Sequence, residues 1–143
     1  MKVVFFTTTS ITLDIFMSEI INSIEKELNA EVFICSSERP SSMNLKELKF
    51  HPLKIKRKIS VFHDFTALIS FHRIVKSIKP DIIISITPKA GLFNALLFLS
   101  KVRKIHIFTG QVWATMSGIK SWILKKIDRL IASKIHLNLV DGK

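Results

Sequence analysis

The sequence is short of cysteine, glycine, proline and acidic side chains, and each shortage excludes something. Its one cysteine, Cys35, has no intramolecular partner, so a disulfide framework is excluded and a reducing, cytosolic setting is expected. Cys35 closes the apolar run Val32-Phe33-Ile34-Cys35 and reads as a buried core thiol. Four glycines and four prolines in 143 residues leave no low-complexity linker, and no internal repeat is present. The first polar loop, Thr7-Thr8-Thr9-Ser10, contains no glycine at all, which excludes both a dinucleotide fingerprint and a P-loop there. No apolar run is long enough to cross a bilayer: the most apolar window, Ile82 to Leu99, is interrupted by Pro88 and Lys89. The N-terminal Met1-Lys2-Val3-Val4-Phe5-Phe6 lacks the long apolar segment and cleavage site of a signal peptide and reads as a strand.

Metal and nucleophile chemistry are also poorly served. None of His51, His63, His72, His106 and His136 is four residues from another, and His63 and His72 fall on opposite faces of one helix. No metal site and no cofactor are expected, and no nucleophile elbow appears. Acidic residues number 11 against 22 lysines and arginines, a net charge of +11. An excess of that size calls for an anionic partner, whether nucleic acid, membrane or a phosphate-bearing substrate. No nucleic-acid recognition motif accompanies it, so no nucleic-acid partner is expected. The basic clusters Lys54-Ile55-Lys56-Arg57-Lys58, Lys101-Val102-Arg103-Lys104 and Lys120 to Lys134 flank apolar helices carrying Phe98 and Trp122, a combination suited to an anionic membrane surface.

What is present is a core. Hydrophobic residues make up 48% of the chain, enough for one domain spanning 1–143. Short β-branched and aromatic runs at 2–7, 31–36, 50–55, 81–86, 104–108 and 135–140 read as strands. Between them, helical spacing predicts helices over 10–28, 62–78, 92–101 and 119–133. The first should bury Leu13, Phe16, Ile20, Ile24 and Leu28, with Ser10 or Thr12 as its cap. The last should present Ile119, Trp122, Ile123, Ile127, Leu130 and Ile131 on one side, with Ser117 as its cap. Strands alternating with helices predict an α/β, Rossmann-like, mostly parallel sheet with helices on both faces.

Ligands of such sheets gather beyond the carboxyl ends of the strands. Three loops leave those ends, and each carries candidate binding residues. Thr9 and Ser10 offer hydroxyls at a helix start. In the turn Thr87-Pro88-Lys89-Ala90-Gly91, Thr87 is a hydroxyl donor, Lys89 a point charge and Gly91 a position of close backbone approach. Thr109, Gly110, Gln111 and Trp113 follow the fifth strand, where an amide reads hydroxyls and an indole stacks on a sugar face. No residue is singled out as catalytic.

The segment Ile82-Ile83-Ile84-Ser85-Ile86-Thr87-Pro88-Lys89-Ala90-Gly91, followed by His106-Ile107-Phe108-Thr109-Gly110-Gln111-Val112-Trp113-Ala114, resembles the N-terminal domain of family 4 glycosyltransferases, and Ser117 to Gly142 is similar as well. These are GT-B-fold enzymes of bacterial capsule, O-antigen and exopolysaccharide assembly. The resemblance implies one half of a GT-B fold, whose loops at Lys89, Gly91, Gly110 and Gln111 face a cleft. It implies a lipid-linked sugar acceptor at the inner face of the cytoplasmic membrane, and metal-independent transfer that usually retains anomeric configuration. The nucleotide-sugar would be held by a C-terminal domain that 143 residues do not contain, so a truncated or split gene, or a partner chain, is implied. The first loop departs from the family by lacking the glycines many relatives carry there. Two readings follow: the acceptor-binding half of a transferase, inactive alone, or a non-catalytic membrane-anchoring subunit of a split transferase.

Overall fold

The computed structural model describes residues 1–41, 49–99, 101–110 and 112–140. The chain runs β1 (Lys2–Phe6), α1 (Ile11–Phe16), α2 (Ser18–Glu27), β2 (Glu31–Ser36), β3 (Lys49–Pro52), α3 (Val61–Ile78), β4 (Ile82–Ser85), α4 (Pro88–Leu96), β5 (Arg103–Phe108), a 3₁₀ turn (Val112–Thr115), α5 (Gly118–Lys134) and β6 (Leu137–Val140). The six strands form one sheet in the order β3-β2-β1-β4-β5-β6, and all five pairings are parallel. The alternation of strand and helix expected from the sequence is therefore observed.

Each central strand is apolar on both sides because both faces of the sheet are covered. Val4, Phe6, Phe33 and Ile83 point into a core built by α3 and α4, where the Phe6 and Phe71 rings stack with centroids 3.8 Å apart. Val3, Phe5, Val32 and Ile34 point the other way, into a core closed by Leu13, Met17 and Ile21 of the α1–α2 segment. Ala95, Ile131 and Ile135 join α4 to α5 on the α3 side. Thus α1 and α2 form one layer, and α3, α4 and α5 form the other.

Several expectations need correction. The helix read over 10–28 is two helices that meet at Met17. Its buried line is Leu13, Met17 and Ile21, while Ile20 and Leu28 are exposed. The segment has apolar residues in two helical phases, and periodicity does not say which phase meets a sheet. Ser10 occupies the cap position of α1 without a side-chain cap bond, and Ser117 does the same for α5. The predicted turn at 87–91 is the first turn of α4: Pro88 sits in its first turn, where the missing N–H costs nothing. That helix, expected over 92–101, ends at Leu96, and Phe98 beyond it is exposed. The third strand stops at Pro52, although Leu53 and Ile55 remain buried. Along α5 only Ile131 of the expected apolar side is fully buried; Ile119, Trp122, Ile123 and Leu130 face outward. Gln111 and the closing Asp141-Gly142-Lys143 lie outside the described residues.

Candidate functional site

In an all-parallel sheet every strand ends at the same edge, so the loops after β1, β4 and β5 share one rim. The connection from β1 proceeds toward β2 and that from β4 toward β5, in opposite directions along the sheet. The reversal between β1 and β4 is the topological switch point, where such sheets open a crevice. Two of the candidate loops meet there. The Thr8 amide and the Thr8 hydroxyl both donate to Thr87 Oγ1, each at 3.1 Å. Ser37, after β2, donates to the Thr8 carbonyl at 2.8 Å. Thr7 Oγ1 donates to the Thr9 carbonyl at 3.3 Å, and the Thr9 and Thr12 hydroxyls lie 3.4 Å apart. The Ser10 carbonyl accepts from Leu13 and Asp14, beginning α1. Thr9, Ser10 and Thr87 therefore stand together on a rim held rigid by Thr8, a residue the sequence did not single out.

Lys89 and Gly91 belong to the same rim but look inward. The Lys89 ammonium donates to the carbonyls of Lys56 and Lys58, both at 2.7 Å, and to Asp64 Oδ1 at 2.8 Å. All three of its donors are engaged within the protein, and its side chain is 12% exposed. Asp64 in turn accepts from the Ser60 amide at 3.1 Å. This lysine shapes the basic loop before α3. The close approach permitted by Gly91 is taken by His106: a Cβ on Gly91 would meet Cε1 of that ring at 2.5 Å. His106 is fully buried, with Nδ1 3.0 Å from Ser85 Oγ, and Asn94 Nδ2 donates to the same hydroxyl at 3.1 Å. Burial pushes the His106 pKa down to about 4, so the ring is neutral at neutral pH.

The loop after β5 forms a second cluster, two strands away from the switch point. Thr109 and Gly110 are exposed, and Gly110 adopts φ 116°, a conformation that favours glycine. Gln111 falls outside the described residues. Trp113 is half-buried and anchored to α5: its indole N–H donates to Asp128 Oδ2 at 2.8 Å, and Ser121 donates to its carbonyl at 3.1 Å. Lys125 Nζ stands 4.7 Å from the indole centroid. Trp113, Lys125 and Asp128, together with Phe108, Arg129 and Val140, line an open groove of about 450 Å³. Burial raises the Asp128 pKa, and the Trp113 hydrogen bond partly opposes that rise. Among the described residues no group of three or more His, Cys, Asp or Glu is arranged to hold a metal.

The three loops thus split into a hydroxyl-lined switch point and a tryptophan-walled groove, both on one edge of the sheet. Sequence reasoning singled out Thr87 and Trp113 but not their partners Thr8 and Asp128, which only the fold brings near.

Comparison with known proteins bears on this edge. The family model described as glycosyl transferase 4-like matches residues 2–134. The capsular polysaccharide biosynthesis glycosyltransferase CapM of Staphylococcus aureus is 29% identical over 107 residues, which cover 73% of this chain and 28% of that protein. Among solved structures, UDP-GlcNAc 2-epimerase from Neisseria meningitidis, bound to UDP-GlcNAc, superposes with a TM-score of 0.66 at 22% identity, covering 98% of this chain and 40% of the other. MurG of Acinetobacter baumannii superposes with a TM-score of 0.61 at 13% identity, covering 100% of this chain and 42% of the other. The chain therefore spans less than half the length of each of these proteins. The two structural likenesses establish the fold, one half of the GT-B architecture. The sequence match over nearly the whole length establishes more: this chain belongs to the glycosyl transferase 4-like family.

Proposed function

We propose that this chain is the acceptor-binding half of a glycosyltransferase that moves a sugar from a nucleotide-sugar to a lipid-linked or polysaccharide acceptor in cell-surface glycan synthesis. The observation that carries this is the family match over residues 2–134 on a domain whose hydroxyl-bearing loops converge at the switch point. The capsular role in the name of the Staphylococcus aureus relative supports a surface glycan as product.

In this reading Thr9, Ser10 and Thr87, with Thr109 and Gly110, line the acceptor side of a cleft. Trp113 stacks on an acceptor sugar ring, and Lys125 and Arg129 meet its phosphates. Transfer breaks the bond between the anomeric carbon and the nucleotide phosphate. It forms a new bond from that carbon to an acceptor hydroxyl, which loses its proton. The nucleotide-sugar is held by polypeptide outside these 143 residues, so the chain binds acceptor but does not turn over alone. Its place is peripheral, on the inner face of the cytoplasmic membrane. No helix among the described residues is long and apolar enough to cross a membrane.

The test is transfer of a radiolabelled sugar from a panel of UDP-sugars to a short-chain prenyl-diphosphate sugar. The chain alone should give only background. Addition of a nucleotide-sugar-binding half should give product, and Trp113→Ala should then raise the acceptor KM with little change in the donor KM. Efficient turnover by the isolated chain would overturn the reading.

A further inference from the structure

Trp113 reaches the carboxyl edge of the sheet on a turn that its own backbone constrains weakly. The 3₁₀ turn lies between Gly110 at φ 116° and Gly118 at φ 68°, and nothing packs within 4 Å of where a Cβ would stand at either glycine. Within the turn, the Met116 amide donates to the Trp113 carbonyl at 3.2 Å. The rest of what fixes Trp113 comes from α5. Ser121, Lys125 and Asp128 follow one another at spacings of four and three residues, so they share one face of that helix. All three reach Trp113, each at a different point. Ser121 Oγ donates to its carbonyl at 3.1 Å, Lys125 Nζ stands 4.7 Å from the ring centroid, and Asp128 Oδ2 accepts the indole N–H at 2.8 Å.

These contacts do different things. Ser121 holds the backbone and leaves the side chain free to turn. Lys125 is exposed and long, and a cation over a ring tolerates many ring positions. The Asp128 bond is short, directional and made to the ring itself, so it sets which way the indole plane faces. A carboxylate is also more than a half-buried indole N–H needs, since water could meet that donor. Asp128 is the one acid of α5, it stands half-buried among Lys125, Lys126 and Arg129, and among the described residues it forms no ion pair with them. Burial raises its pKa, which is the mark of a carboxylate partly withdrawn from water. Holding such a group against a single neutral donor is how a side chain at a binding surface is locked in one orientation.

We infer that Asp128 is a positioning residue: its carboxylate fixes the Trp113 indole as the wall of the groove, so the groove stands formed before an acceptor enters. This role rests on the acceptor-binding reading above, because it bears on transfer only where an acceptor sugar meets Trp113. An indole already fixed loses no rotamer freedom when the ligand arrives, and for one large side chain that freedom is worth roughly two- to tenfold in affinity. Asp128 touches no ligand in this role and acts through Trp113 alone. The orientation of the ring is measured without any ligand, so failure of the acceptor reading and failure of the positioning role are told apart.

The experiment compares Asp128→Leu, which removes the hydrogen-bond acceptor, with Asp128→Asn, which keeps one, in the full ¹⁵N-labelled chain. The chain has two tryptophans, so Trp122→Phe assigns the Trp113 indole signal. Without ligand, Asp128→Leu should move that signal upfield and speed its exchange with solvent about tenfold or more, and Asp128→Asn should do much less of both. With the short-chain prenyl-diphosphate sugar, Asp128→Leu should weaken binding about three- to tenfold and Asp128→Asn less than about twofold. In a Trp113→Phe chain, which keeps a ring but has no N–H, Asp128→Leu should weaken binding no further. Asp128→Ala should behave as Asp128→Leu does, which separates the lost bond from the bulk of leucine, and unaltered circular dichroism shows that each variant folds. An indole signal indifferent to Asp128→Leu would overturn the positioning role. So would an affinity loss that persists in full in the Trp113→Phe chain, or an Asp128→Asn variant as impaired as Asp128→Leu. Absence of any binding by the wild-type chain would sink the acceptor reading instead, while the ligand-free signal still decides whether Asp128 fixes the ring.

Discussion

Lys89 Nζ and Asp64 Oδ1 lie 2.8 Å apart beneath the carboxyl edge of the sheet, joining α4 to the first turn of α3. The same ammonium holds the backbone carbonyls of Lys56 and Lys58, so one side chain fixes the path of the most basic loop in the protein. Lys89→Met keeps the length of the side chain but takes the partner from two carbonyls and, of the Lys89 and Ser60 donors to Asp64, leaves its largely buried carboxylate only the Ser60 amide. It should cost about 2–3 kcal/mol in denaturant unfolding, and Asp64→Asn should cost less. Trypsin cleavage at Lys54 to Lys58 should accelerate in both variants, because the loop loses its tether.

Gly91 packs on the His106 ring, which is fixed by Ser85 on one edge and meets Phe108 edge-to-face at 4.4 Å. The ring cannot swing aside to admit a methyl group. Gly91→Ala should therefore cost about 1–3 kcal/mol. In a double-mutant cycle, Gly91→Ala with His106→Ala should cost less than the two single changes added together, which reports their contact directly.

The buried His106 also sets a pH dependence. Its folded pKa is held near 4, below the ordinary value of 6.5, because burial disfavours the cation. Between those values the unfolded chain binds the proton and the folded chain does not. Stability should therefore be complete above about pH 6.5 and fall as the pH drops toward 4, by up to about 3 kcal/mol from this group. Nε2 has no hydrogen-bond partner among the described residues, so protonation there gains no acceptor. Urea unfolding at several pH values checks this, and His106→Asn should flatten the profile.

Cys35 sits wholly inside the sheet, and burial pushes its thiol pKa up to about 12. The folded protein should not react with a thiol reagent at pH 8 on a timescale of minutes, and reaction should appear only with global unfolding. Labelling rate against denaturant concentration gives the free energy of the opening that exposes β2.

The fold was largely legible because it rests on local signals. The unbroken Ile82-Ile83-Ile84 run marks a strand covered on both faces, and Lys79-Pro80 ends α3 with Lys79 at φ 53°. The site was legible only in part. Thr87 and Trp113 stand on loops at the carboxyl edge of the sheet, where topology directs the search for a site, but their partners depend on tertiary structure. Thr8 is 79 residues from Thr87, and no sequence pattern announces that β1 and β4 are neighbours. Lys89 and Gly91 carried the right signals, charge and absence of a side chain, yet the fold spends them on Asp64 and His106. Along α5 the apolar spacing identifies a face correctly, but spacing does not say whether protein, lipid or solvent lies opposite.

The acceptor-side assignment is tested most directly by amide chemical shifts of the ¹⁵N-labelled chain titrated with a short-chain prenyl-diphosphate sugar. The largest shifts should fall on Thr8, Thr9, Thr87, Thr109, Gly110 and the Trp113 indole, while UDP alone should move none of them. Shifts confined to another surface, or UDP perturbing this edge as strongly as the prenyl-diphosphate sugar does, would contradict it.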